Sequence, residues 1–216
     1  MTHRLAAYGA QAAVVSGVLS IVGTVVLLLF FALEAPAVVG GGDSNRWTPL
    51  GRTNDLLVGL SLVAAIPLAA LLRERWRGDA PGASAIYVVG LVAMVGVGAF
   101  GFSSFANLVP LTALGALGTG SLAGLGLWQV LVSLRSADPA ISGRLRSVGI
   151  VSGIGFVLEL VAFLALGTSG FADPQVALRQ PLFVAIGGVG LLASNIGYPI
   201  WSIWLGRRLL PVTEAT

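Results

Sequence analysis

Six apolar stretches, at about residues 13–33, 56–72, 85–105, 110–134, 148–166 and 182–205, dominate this chain. Each meets the requirement of roughly 17–25 mostly apolar residues for one helical crossing of a bilayer. Barrel strands would be about half as long and would alternate in polarity; these runs do neither. A helix satisfies its own backbone where no water can. The expected fold class is therefore all-α, a polytopic membrane protein. One integral membrane domain over residues 1–216 forms a bundle of six transmembrane helices. Charge agrees with this, since 10% of the residues are charged, against about 25% in soluble domains.

Several chemistries are excluded at once. The chain has no cysteine, so disulfides, thiol catalysis and Cys-ligated metal are out. Its one histidine is His3, at a chain end, where an imidazole is ordinarily solvated and idle. Without an acid–base pair in the spans, no enzyme activity and no cofactor is expected. Gly96-x-Gly98-x-x-Gly101 matches a dinucleotide pattern by letter, but that pattern needs a strand before it and a helix N-terminus after it. Here it lies inside an apolar run. Gly167-x-Ser169-Gly170 lacks any base for a serine nucleophile, and Gly40-x-Gly42-Asp43 lies in a loop.

All twelve basic residues are arginine, which together with the alanine and glycine content is the usage of a G+C-rich bacterial genome. They stand at the ends of the apolar runs, where membrane orientation explains them and nucleic acid does not. Arg4, Arg73, Arg75, Arg77, Arg135, Arg144, Arg146, Arg207 and Arg208 fall on one side. Arg46, Arg52 and Arg179 fall on the other. The positive-inside rule then puts both termini in the cytoplasm of a plasma (inner) membrane. The first run exceeds the 7–15 residues of a signal-peptide core, so it is expected to stay as a helix. Arg73, Arg75, Arg77, Arg144 and Arg146 are expected beside anionic lipid headgroups, with Trp47 and Trp76 anchoring at the interface.

Glycine and proline mark local features. Gly120/Gly124 and Gly149/Gly153 have the spacing that lets membrane helices approach closely, within the bundle or in a homodimer. Pro67 is expected to bend the second helix. Thr53 or Asn54 is expected to cap that helix, with Asp55 in its first turn near the positive end of the dipole.

One acid stands inside an apolar run. Glu159 lies near the middle of 148–166, where a charged side chain costs about 2.5–3.5 kcal/mol on insertion scales. Ser152, Gly155, Glu159 and Ala162 share a face by their three-and-four spacing, so Glu159 is expected to point into the bundle. The sixth run, antiparallel to it, offers Asn195 at roughly the same depth, within about 5 Å at 1.5 Å per residue. Tyr198 follows on the same side. Pro199 frees the Asn195 carbonyl from its intrahelical bond. The expected site is Glu159, Asn195, Tyr198 and Ser152, binding a proton, a cation or a small solute. The alternative is a sensor or assembly partner that transports nothing, with Glu159 as an interhelical hydrogen-bonding residue.

Overall fold

A computed structural model describes residues 3–34, 49–76, 82–108, 111–136, 138–167 and 178–210. All regular structure among them is helical. Helix α1 spans His3–Leu29 and ends in a π-helical turn, Phe30–Glu34. It is followed by α2 (Pro49–Ala64), α3 (Ile66–Arg75), α4 (Ala83–Phe105), α5 (Leu111–Arg135), α6 (Arg144–Leu166) and α7 (Pro181–Leu209). Helices α2 and α3 form one crossing, so six segments are long and apolar enough to span a membrane. Trp47, Arg46, Asp43, Arg77, Ser169 and Gly170 lie outside the described residues, as do the side chains of His3 and Arg4.

The break between α2 and α3 has a local cause. Pro67 carries no N–H, so the carbonyl of Val63 loses its helical partner. The chain tightens one turn earlier, with the Ala65 N–H donating to Leu62 O at 3.1 Å. The helices also run past the apolar stretches: α7 continues to Leu209 and α2 begins at Pro49. Hydrophobicity sets where lipid is tolerated, while the hydrogen-bond ladder continues into polar sequence as long as nothing stops it.

The segments pack as a closed ring, in which α1 meets α2 and α7, and α2–α4, α4–α5, α5–α6 and α6–α7 complete the circuit. Leu68, Leu71, Met94, Leu125, Trp128, Trp201 and Leu205 are buried inside. Trp128 and Trp201 meet edge to face at 5.9 Å, a favourable geometry for two aromatic quadrupoles. Outward, large apolar side chains such as Leu164, Val92 and Leu182 are exposed. Such patches around a whole circumference suit a lipid solvent and not water.

Close helix approach decides the glycine roles. A Cβ on Gly149 would stand 2.6 Å from the Trp201 indole nitrogen, and one on Gly153 would stand 2.6 Å from Gly126 O. Both glycines of this pair therefore serve packing within the bundle. Gly120 faces open space and Gly124 lies 3.3 Å from the Ala93 Cβ by the same test.

One end of the bundle gathers arginines. Arg75 pairs with Asp138 at 2.8 Å, and Arg146 donates to Ser136 O at 2.9 Å. Arg208 donates to Ala140 O at 3.3 Å and lies over the Trp204 ring. Arg73 donates to Ser84 and stacks on Tyr87, while Arg144 is exposed. Trp76 does not anchor at the interface as expected. It is 5% exposed, and its indole N–H donates to Ser136 Oγ at 3.0 Å.

Candidate functional site

The α6–α7 crossing is where Glu159 sits. Gly155 of α6 and Gly190 of α7 face each other so closely that a Cβ on either would stand 2.8 Å from the other's carbonyl oxygen. Two helices this near bring short side chains within bonding reach. Four residues beyond Gly155 is Glu159, and four beyond Gly190 is Ser194. Their side chains meet, with Ser194 Oγ hydrogen-bonded to Glu159 Oε1.

The surroundings of that bond explain its chemistry. Ser194 Oγ also lies 3.2 Å from Leu191 O, and Asn195 Nδ2 points to it at 3.4 Å. The hydroxyl has one hydrogen and two lone pairs. When Glu159 is ionised, Ser194 donates to the carboxylate. When Glu159 is protonated, the acid donates to Ser194 Oγ and the serine hydrogen turns to Leu191 O. Both states keep every hydrogen placed, with only a hydroxyl rotation between them. Ser194 is fully buried, whereas Glu159 and Asn195 are partly buried.

Asn195 extends the network to α1. Its Nδ2 donates to Leu191 O at 3.0 Å, and Thr24 Oγ1 stands 3.4 Å from its Oδ1. Thr24 Oγ1 also lies 3.3 Å from the Asn195 carbonyl, the group that Pro199 leaves without an intrahelical donor, and donates to Ser20 O at 2.9 Å.

Two expected members lie elsewhere. Tyr198 is buried one turn away and bonds Ser16 of α1 at 2.7 Å, with its ring against Phe156. Ser16 in turn meets Ser61 of α2, which donates to Ser16 O at 2.9 Å. Ser152 donates to Gln129 Oε1 of α5 at 3.2 Å. Seven residues separate Ser152 from Glu159, about 10 Å along a helix, too far for one small site. A shared face places residues in a line and does not bring its ends together. Ser194 was the missed member. Its signal was the small-residue spacing Gly187, Gly190, Ser194, the stripe along which α7 approaches α6.

A second carboxylate also corrects the sequence reading. Helix α2 starts at Pro49, in the first-turn position that proline suits, so Asp55 lies in the body of the helix and not at its cap. It is 6% exposed and accepts a hydrogen bond from Ser104 Oγ at 2.6 Å. Gly101 makes room, since a Cβ there would press on the Asp55 backbone. Beside it, the buried Asn54 Oδ1 has no hydrogen-bond partner among the described residues and faces Gly23 of α1, the neighbour of Thr24. Helix α1 thus meets Asn195 through Thr24 on one side and Asn54 at Gly23 on the other.

Among the described residues no group of three or more His, Cys, Asp or Glu is placed to hold a metal ion. No protein-family model, curated protein or solved structure matches the chain.

Proposed function

We propose that this multi-pass membrane protein is a proton-linked carrier in which Glu159 takes up and releases the proton. The observation that carries the reading is the Ser194 hydroxyl, held so that it serves both the ionised and the protonated acid without rearranging a helix. An ionisable group inside a span is a functional site by default, and this one is partly buried against a fully buried serine. Asn195 and Thr24 supply further polar groups beside it, between α7 and α1. The arginine asymmetry supports placing the arginine-rich end in the cytoplasm.

The test is proton flux into proteoliposomes carrying a pH-sensitive dye, driven by a potassium diffusion potential. Wild-type protein is expected to exceed protein-free vesicles. Glu159→Gln keeps the shape and the serine contact but cannot exchange a proton, so it is expected to return flux to background with unchanged helix content. Absence of flux from wild type, or equal flux from Glu159→Gln, overturns the reading. The second outcome would leave Glu159 as an interhelical hydrogen-bonding residue in an assembly partner.

A further inference from the structure

Helices α1 and α7 leave a groove of about 780 Å³ on the outside of the bundle. That volume lies within the range of about 300–1,000 Å³ usual for small-molecule sites. Its walls are apolar: Ile21 and Val25 from α1, and Ile196, Ile200 and Ile203 from α7. Polar groups occur only at the ends. Thr24 and Asn195 close the inner end, and Arg207, Arg208 and Trp204 form the other.

The order of these groups is informative. From Asn195 to Arg208 is thirteen residues, about 20 Å of helix. One leaflet contributes about 15 Å, half of the ~30 Å hydrocarbon core. The groove therefore runs through one leaflet and ends in cations at headgroup depth. Arg208 is held in place by Trp204 and by the carbonyls of Ala140 and Ser142. Arg207 is exposed and makes no ion pair among the described residues.

We infer that this groove binds one anionic phospholipid, its phosphate at Arg207 and Arg208 and one acyl chain along the isoleucines toward Asn195. A soluble anion would satisfy the arginines and leave the apolar walls unused. A helix from a second copy would cover the walls and leave the two arginines without the phosphate that their charge suits. A lipid matches the sequence of polarities from end to end. Thr24 and Asn195 border both this groove and the Glu159 network, but the test reads lipid retention alone, so its failure is distinguishable from a failure of proton exchange at Glu159.

The experiment is native mass spectrometry of the intact protein released from nanodiscs of mixed phosphatidylglycerol and phosphatidylcholine. One phosphatidylglycerol is expected to stay bound in preference to phosphatidylcholine. Each basic group at a membrane surface contributes about fivefold to such binding, so Arg207→Gln is expected to lower retention about fivefold and Arg207→Gln with Arg208→Gln about thirtyfold. Ile200→Trp fills the groove with both arginines intact and should also displace the lipid, whereas Arg179→Gln, exposed at the opposite end, should not. Excess glycerol phosphate, which has the head without the chain, should fail to compete. Equal retention of the two lipids, no effect of the double arginine change, or full competition by glycerol phosphate each overturns the assignment.

Discussion

Gly155→Ala tests the packing on which the candidate site depends. The added methyl carbon would stand 2.8 Å from Gly190 O, 2.8 Å from Ser194 N and 2.9 Å from Ala193 Cβ. Ordinary contact begins at 3.4 Å, so the helices must part by about 0.6 Å (3.4 − 2.8) at this point. Two of the three atoms are backbone and cannot swing aside. Overpacking of this kind costs about 1–3 kcal/mol, and alanine returns up to ~1 kcal/mol in helix propensity. The net expectation, from those two magnitudes, is a loss of about 1–2 kcal/mol. Gly120→Ala is the control, since its methyl group meets nothing within 4 Å and should be neutral or stabilising. Reversible unfolding of the two variants in mixed micelles, titrated with denaturing detergent, measures the difference. Parting α6 from α7 also pulls Ser194 from Glu159, so proton flux should fall in Gly155→Ala and not in Gly120→Ala. If the two variants unfold alike and carry alike, the close crossing does not hold the site.

Two more outcomes follow from the other polar contacts. Ser104→Ala leaves the buried Asp55 carboxyl with Asn54 as its remaining side-chain donor and should cost about 1–3 kcal/mol in the same unfolding assay, whereas Asp55→Asn, which can still accept from Ser104, should cost less; the reverse order would mean that the 2.6 Å bond is not what stabilises this pair. Tyr198→Phe removes the 2.7 Å bond to Ser16 and should cost about 0.6 kcal/mol, the average for such bonds between membrane helices, and no more than about 1.7 kcal/mol. It should leave proton flux unchanged, and a loss of flux would return Tyr198 to the site from which the geometry separates it.

What the sequence determined by itself was the solvent and the number of crossings. Six runs of apolar residues leave a backbone no other way to satisfy its hydrogen bonds in lipid, and that argument requires no knowledge of neighbours. The isolated acid at Glu159 was legible for the same reason, because a carboxyl among apolar residues stands out against one-dimensional composition. What only the tertiary structure decided was which side chains touch. Ser194 and Tyr198 are four residues apart on one helix, yet the hydroxyl of one bonds α6 and that of the other bonds α1. The choice depends on the rotation of α7 against two different partners, and the paired glycines Gly155 and Gly190 set it. Asp55 was misplaced because a helix start read from capping residues ignores what a proline six residues earlier permits. Burial of its carboxyl then required Gly101 on another helix to yield space. Periodicity along a chain fixes faces. Only helices packed against one another fix which faces meet, since contact depends on relative rotation, tilt and depth together.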